Sequence, residues 1–365
     1  MSTINNREDE NEQLMHKKVR FEGIDFLKCF AILSVVCLHV SLMGFEVKTF
    51  GNNHRDLVQI PVITYYFGTM AIPIFFSING YLILGRKRLS YQYILTKVYH
   101  LLLPVFLWSL VGSVSQIYIN HIFPNPIESA FLSLLQIGNF NVFWFIGALV
   151  IVQLCSPVLH WLMQHRWLLF QGCILFLGIA CTAVMVTSYY LGYPVSKNII
   201  QTFRLWTWLF YFMLGAWVRN IKLPVSIEKM RTLSKLNRIL SFLIVVAFVQ
   251  VLSVISATRL RTGFAEFDYD SLFVIVGVLI VMLLYSQVVS LGRSRLVTHL
   301  IHHVASNTMG IFIIHSIIIR VLIKFAPSMF RSFTPVLIIV VFVVSDVIVT
   351  VAKRIPLVRY FVSLD

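Results

Sequence analysis

The sequence predicts an all-α integral membrane protein with about ten transmembrane helices and both termini in the cytoplasm. Three observations lead to this fold class: the composition, a series of apolar segments, and the distribution of Lys and Arg. Of the 365 residues, 58% are hydrophobic and 12% are charged, whereas about 25% of the residues in a soluble domain are charged. This composition excludes a disordered, collagen-like or soluble nucleic-acid-binding chain, and it predicts many spans rather than one anchor.

Ten apolar segments follow one another along the chain, each close to the roughly 20 residues that cross a bilayer. They are 24–45, 61–85, 95–119, 141–159, 168–191, 200–218, 239–257, 271–291, 304–325 and 334–352. The period-2 alternation of a transmembrane barrel is absent, so we expect helices, which satisfy their own backbone hydrogen bonds in lipid.

The basic residues set the orientation of this series. With the N-terminus inside, 20 of the 30 Lys and Arg residues fall on the cytoplasmic side, six fall outside, and four lie within spans. This bias follows the positive-inside rule. It also explains the net charge of +15 without nucleic acid as a partner.

The chain divides into a polar cytoplasmic tail (1–22), a membrane domain (23–355) and a short cytoplasmic tail (356–365). No small-residue cleavage site follows the first apolar run, so we expect that run to stay in place as a signal anchor. The two longest outer connections, 46–60 and 120–140, are long enough to fold over a site but not to form a second domain. The function therefore lies in or beside the membrane.

The first span carries three ionisable residues, Asp25, Lys28 and His39. Ionisable groups inside a span are costly unless they are paired or face water, so they mark functional sites by default. At 100° per residue all three fall on one stripe of the helix, and Lys28 and His39 lie about 16 Å apart along its axis. The non-functional explanations are an Asp25–Lys28 ion pair at the inner interface, a lysine that snorkels to that interface, and a histidine that makes a structural hydrogen bond.

The second span ends in small and polar residues, Ser77, Asn79 and Gly80, followed by the basic cluster Arg86-Lys87-Arg88. Close helix packing is the ordinary explanation of the small residues. The basic cluster is by default a positive-inside anchor. It lies at the same membrane face as Lys28, however, so together they can clamp a phosphorylated ligand from the cytoplasm.

Polar residues in later spans form a second group. Trp144 lies near the outer end of its span, as an aromatic belt residue does. Arg204 lies near the outer end of another span, where its side chain can snorkel. His315 is at mid-span and needs an inward-facing polar partner. Asp346 lies in the inner half of the last span with no assigned partner. The cytoplasmic histidines 299, 302 and 303 have no carboxylate or cysteine nearby in the sequence, and no metal is expected.

Four motifs in this order resemble the membrane-bound acyltransferase 3 family of bacterial O-acyltransferases. They are Lys28 with His39 after ten intervening residues, FFSINGY (75–81) with Arg86 and Arg88, Trp144-Phe145 with Ser156-Pro157, and the run from Gly310 to His315. The resemblance covers the chain from about residue 22 to the last span. Asn79 replaces the usual serine. Lys28 stands where many members have arginine, and a lysine cannot bind phosphate in the bidentate manner of an arginine.

The resemblance implies transfer of an acetyl group from cytoplasmic acetyl-CoA to a sugar hydroxyl on the outer side of a bacterial cytoplasmic membrane. The chain is similar to the stand-alone members of the family that act on enterobacterial common antigen or capsule sugars. Arg86, Arg88 and Asn79 are then expected to bind acetyl-CoA.

The same resemblance makes His39 the general base, which we favour, or a covalent acyl carrier. Lys28 and Asp25 share its helix stripe and complete the expected catalytic group. Trp144, His315 and Arg204 are expected to bind the acceptor. All of this depends on one hydrated passage between the leaflets that both Lys28 and His39 face.

Two other functions fit the same spans. One is an exporter or flippase of a polysaccharide or lipid-linked sugar, and the other is a non-catalytic scaffold for polysaccharide assembly. A flippase consumes no acetyl-CoA, and a scaffold needs neither Lys28 nor His39. The sequence leaves open the hydroxyl that is modified, the acyl chain and the oligomeric state.

Overall fold

The computed structural model describes residues 20–44, 60–138, 140–221, 233–292 and 294–363. Within these ranges the chain forms helices joined by turns, and no strand is found. The helices are α1 (Glu22–Leu42), α2 (Ile60–Tyr66), α3 (Ala71–Ile83), α4 (Tyr91–Asn120), α5 (Pro126–Leu134), α6 (Trp144–His165), α7 (Trp167–Leu191), α8 (Leu205–Asn220), α9 (Lys235–Leu260), α10 (Leu272–Tyr285), α11 (Arg295–Phe325), α12 (Met329–Ser332) and α13 (Thr334–Ala352). The tail 1–19 and most of the outer connection 46–60 lie outside the described residues.

Eight helical segments are long and apolar enough to cross a membrane among the described residues. They are α1, the α2–α3 pair, α4, α6, α7, α9, α11 and α13. This confirms the all-α polytopic membrane fold. The other two predicted spans are the shorter helices α8, of 16 residues, and α10, of 14 residues.

Helices α8 and α10 lie inside the bundle, which explains their length. Most of their residues are buried, and short 3-10 turns (Gln201–Phe203 and Ala265–Phe267) precede them. Irregular backbone is tolerated at membrane depth where surrounding protein, rather than lipid, satisfies its polar groups. Helix α7 is the opposite case: only four of its 25 residues are buried, and most of the others are exposed or half-exposed on the outside of the bundle.

Helices α3 and α8 touch through their backbones. A Cβ added to Gly80 would lie 1.7 Å from the carbonyl oxygen of Phe212, and one added to Gly215 would lie 1.8 Å from that of Ser77. Neither position accepts a side chain without separating the helices. The glycine of the FFSINGY segment therefore has a packing role, and this contact fixes where Asn79 lies.

The C-terminal segment returns to the bundle instead of leaving it as a free tail. The Trp108 indole Nε1 donates a hydrogen bond of 3.0 Å to the carbonyl oxygen of Phe361, and the two rings pack edge to face. Val362 is 2% exposed. The described part of the predicted tail 356–365 is thus part of the folded membrane domain.

Candidate active site

Helix α1 is uninterrupted from Glu22 to Leu42 and carries Asp25, Lys28 and His39. The eleven residues from Lys28 to His39 correspond to about 16 Å of helix rise. Both side chains face cavities, but the cavities differ: Lys28 lines one and His39 lines the other. We call them the inner and the outer cavity, after the predicted topology.

The outer cavity has a volume of about 310 Å³. Its polar lining includes His39, Gln136, Asn141, Glu266 and Arg320, and its aromatic lining includes Tyr65, Trp144, Phe264 and Tyr269. Trp144 is the first residue of α6, and it is half-buried against Trp208 with ring centroids 5.3 Å apart. It therefore faces this cavity rather than standing in a lipid-facing belt.

His39 and His315 meet at the edge of the outer cavity, with ring centroids 5.2 Å apart. His315 is fully buried, and its Nδ1–H donates a 3.0 Å hydrogen bond to the carbonyl oxygen of Ile311. In the neutral ring this leaves a lone pair on Nε2, which has no hydrogen-bond partner among the described residues. The predicted inward-facing polar neighbour of His315 is thus His39, and the two rings form one unit.

The connection between α9 and α10 supplies Glu266 and Tyr269 to the outer cavity, and buried hydrogen bonds hold it there. The Tyr66 hydroxyl donates to the Gly263 carbonyl oxygen at 3.0 Å, and the Tyr211 hydroxyl donates to that of Tyr269 at 2.8 Å. Asp268 accepts a hydrogen bond from the Ser256 hydroxyl, and burial raises the pKa of its carboxyl group to about 7. The sequence analysis did not predict that this connection lines the outer cavity, because its position depends on contacts between helices that are distant in the chain.

Arg204 lies behind the wall of the outer cavity and does not line it. Its guanidinium donates to three backbone carbonyl oxygens, those of Ser196, Ile199 and Glu266, and it is 2% exposed. The predicted contact of Arg204 with the acceptor stays a prediction; in this structure its guanidinium holds the backbone of Glu266.

The outer connection 120–140 contributes to the cavity, as its length predicted. Helix α5 lies within this connection, and Gln136 of the connection lines the cavity beside Asn141, the first residue after the connection. The Gln136 side-chain oxygen accepts a 2.9 Å hydrogen bond from the backbone N–H of Gln201. This contact ties the connection to the turn before α8.

The inner cavity has a volume of about 380 Å³. Its polar lining comes from five helices and the C-terminal segment: Lys28, Asn79, Tyr93, Lys97, Gln153, Ser306, Thr308 and Ser363. Lys97 was not among the predicted site residues, yet it is the second cation of this wall. Asn79 lies on the cavity as predicted, and its Nδ2 donates to the Phe75 carbonyl oxygen at 2.9 Å.

Gln153 was missed by the sequence analysis, although a glutamine in an apolar run four residues before Pro157 is a usable signal. Pro157 has no N–H to give to the Gln153 carbonyl. The Ser156 hydroxyl donates to that oxygen instead, at 2.6 Å, which gives the Ser-Pro pair of the third motif a physical role. The Gln153 side-chain oxygen is buried without a hydrogen-bond partner among the described residues, and the side chain lines the inner cavity.

The basic cluster after α3 lies near the inner cavity without lining it. The Arg86 guanidinium stacks on the Tyr93 ring, 4.1 Å from its centroid, and donates to its hydroxyl at 3.3 Å. Tyr93 itself lines the cavity, so Arg86 stands one side chain away. Arg88 is exposed to solvent and is not part of the wall.

Asp25 lies at the inner end of α1, away from His39. It pairs with Arg20 and lies 3.8 Å from the Lys28 Nζ and 3.7 Å from the His302 Nε2. Its carboxylate therefore holds Lys28 beside the inner cavity. The expected place of Asp25 in one catalytic group with His39 is not seen.

The two cavities share two lining residues, Phe145 and Phe312. The ring centroids are 5.3 Å apart, and the residues are 6% and 4% exposed. These two rings therefore lie between the space at Lys28 and the space at His39. The continuous passage that the sequence-based hypothesis required is not seen: two cavities adjoin at these rings, so transfer from one cavity to the other requires the rings to move.

Asp346 has the partner that the sequence left unassigned. The His303 Nε2–H donates to its Oδ2 at 2.9 Å, and the Asn307 amide donates to its Oδ1 at 2.8 Å. Helix α11 begins at Arg295, so His302 and His303 lie on a helix that two carboxylates approach from other helices. Among the described residues, no group of three or more potential ligands is placed to hold a metal ion.

A family model described as an acyltransferase domain, acyltransferase 3, matches residues 21–352. The match includes both cavities apart from the C-terminal residues Val362 and Ser363. No curated protein and no solved structure gives a significant match.

Proposed function

This chain belongs to the acyltransferase 3 family, and on that premise we propose that it transfers an acetyl group from acetyl-CoA in the inner cavity to a hydroxyl of a cell-surface or lipid-linked sugar in the outer cavity. The observation that carries the proposal is the arrangement of α1. One helix presents a cation to one cavity and an imidazole to another, and the two cavities adjoin at Phe145 and Phe312. The membrane would be the bacterial cytoplasmic membrane.

The inner cavity suits a donor with phosphates and a long amide-containing arm. Lys28 and Lys97 line it, and Arg86 lies just behind Tyr93. Cations of this kind bind phosphate through charge-assisted hydrogen bonds. The unpartnered oxygen of Gln153 can accept from an amide N–H of the arm deeper in the cavity.

The outer cavity suits a neutral acceptor with many hydroxyl groups. Side chains with planar polar groups, Gln136, Asn141 and Glu266, stand beside the rings of Trp144 and Tyr269. Polar groups fix the orientation of a bound ligand, while aromatic faces supply contact area. A sugar ring combines both kinds of surface.

His39 is placed to take the proton of the attacking hydroxyl. The hydroxyl oxygen forms the ester bond to the acetyl carbon, the carbon–sulfur bond of the thioester breaks, and the thiol of CoA leaves with the proton that His39 returns. The lone pair on His315 Nε2 can accept an N–H from His39, which would leave the other nitrogen of His39 free to act as the base. The alternative, a covalent acetyl group on His39, uses the same contacts.

The test is thiol release from acetyl-CoA by the purified protein in liposomes that contain a candidate acceptor, such as a lipid-linked sugar of the enterobacterial common antigen or capsule pathway. We expect thiol release together with acetylation of the acceptor, detected by mass spectrometry. Cavities at opposite ends of a bundle also suit an exporter or flippase. Movement of the sugar without any thiol release would favour that function and overturn ours.

A further inference from the structure

We propose that the Phe145–Phe312 ring pair determines which acyl groups pass from the donor cavity to His39, and that it restricts them to short chains such as acetyl. This inference rests on the proposed acyl transfer. It concerns a different property, the size of the acyl group rather than the existence of the reaction. Neither ring belongs to the polar groups that bind or activate a substrate.

The position of the pair follows from the two cavity walls. Phe145 and Phe312 are the residues common to both linings, and together they leave little surface exposed. A thioester that enters from the Lys28 side therefore meets these rings with its acyl end first. The acyl group must lie against them or pass between them to reach the histidine.

The two rings are held differently. Phe145 is wedged among the rings of Phe76, Phe75 and Trp144, with centroid distances of 5.3, 5.9 and 6.3 Å. Phe312 contacts Phe145 on one side and His315, at 5.8 Å, on the other. Phe312 thus lies between Phe145 and His315, so an acyl group that displaces this ring pushes it against the histidine pair.

This arrangement couples acyl size to the catalytic geometry. The contacts run in one line from Phe145 through Phe312 and His315 to His39. A longer acyl chain that displaces Phe312 also displaces His315. In a tightly packed site one methylene changes the rate by roughly tenfold or more.

The first experiment compares acetyl-CoA with butyryl-CoA as donors for the protein in liposomes. We expect Phe312→Leu to raise the butyryl-to-acetyl ratio of kcat/KM by about tenfold, and Phe145→Leu to raise it as well. Phe170→Leu is the matched control, because Phe170 is a fully buried ring that lines neither cavity and stacks on Trp167 rather than on either ring of the pair. An unchanged ratio in both ring-pair variants, with acetyl transfer retained, would overturn the inference.

The second experiment requires no turnover and so separates this inference from the proposed function. Ser316 lines the outer cavity and is 8% exposed. In a Ser316→Cys protein, a thiol reagent that cannot cross the membrane is added on the Lys28 side, and mass spectrometry reads the label at residue 316. We expect slow labelling with the rings intact and labelling at least about tenfold faster after Phe312→Ala. Fast labelling with both rings intact would overturn the inference, and absence of thiol release from acetyl-CoA would instead overturn the proposed function.

Discussion

The inner and outer cavities are similar in size but differ in lining. The inner wall has two lysines, one glutamine and one asparagine, with no carboxylate among its described lining residues, while the outer wall has one carboxylate (Glu266), one guanidinium (Arg320), His39, two amides and several aromatic rings. The inner wall is made mainly by helices, and the outer wall also uses the connections around residues 136–141 and 264–269.

This difference indicates two ligands of different charge. A wall of cations favours an anionic ligand, and a wall with one carboxylate, one guanidinium, amides and rings favours a neutral, polyhydroxylated one. A ligand of the inner cavity would be held mainly by side chains on helices, whose geometry is fixed. Connections vary more readily than helices, so the acceptor side is where we expect related chains to differ.

The largest effect is expected at the histidine of the outer cavity. His39→Ala removes the group that takes the acceptor proton, so acetyl transfer should fall by about 10²–10⁴-fold. The matched control is His165→Ala, since His165 is an exposed residue at the end of α6. Transfer is measured in membranes with equal protein levels. If His39→Ala retained turnover, His39 would not be the group that takes the acceptor proton, and the outer cavity would not be the site of the reaction.

The next effect is expected at the cation of the inner cavity. Lys28→Ala should raise the KM for acetyl-CoA by about tenfold, because a charge-assisted contact to the donor is lost. Asp25 keeps Arg20 as a partner, so folding should be retained. Lys28→Arg should be affected less, and Lys87→Ala, at an exposed lysine, should match the unchanged protein. Equal losses in Lys28→Ala and Lys28→Arg would argue against a role for the charge.

A smaller effect is expected at the acceptor wall. Glu266→Gln and Trp144→Leu should each raise the KM for the sugar acceptor about threefold to tenfold, as expected for one hydrogen bond or one ring contact. The KM for acetyl-CoA should stay constant. Glu128→Gln, at an exposed acid in α5, is the control. A change in the donor KM alone would show that the two walls are wrongly assigned.

The smallest effect concerns the thermal stability of the protein. It tests the buried carboxyl group of Asp268 in the connection between α9 and α10. Burial raises the pKa of Asp268 from 3.8 to about 7, so the folded protein binds more protons than the unfolded chain between these values. Its contribution to stability is therefore lost as the pH rises through this window. The thermal unfolding midpoint in detergent should be lower at pH 8 than at pH 5, and Asp268→Asn should reduce this difference. An equal pH dependence in the variant would contradict the assignment.

The sequence predicted the part of the site that one helix determines. Lys28 and His39 follow from the period of α1, and Asn79, Trp144 and His315 follow from motifs; the structure puts the first four on cavity walls and His315 against His39. The acyltransferase 3 membership was predicted as well. The catalytic and binding roles of these residues stay predictions.

Other parts of the site depend on which helices become neighbours, and the sequence does not reveal this. Lys97 and Glu266 reach the cavities only through tertiary packing, and the partition by Phe145 and Phe312 brings together rings that are far apart in the chain. Arg204 illustrates the converse. Its place near an outer end predicted contact with the acceptor, which stays a prediction, whereas only the structure shows that its guanidinium donates to backbone carbonyl groups.

The most direct test of the two-cavity arrangement is a sided assay in sealed vesicles of uniform orientation. Acetyl-CoA with a labelled acetyl group is supplied only on the side where α1 carries Lys28, and the sugar acceptor is present only on the opposite side. The arrangement predicts labelled acceptor on the opposite side, and loss of that label in His39→Ala. Labelling that requires donor and acceptor on the same side would contradict it.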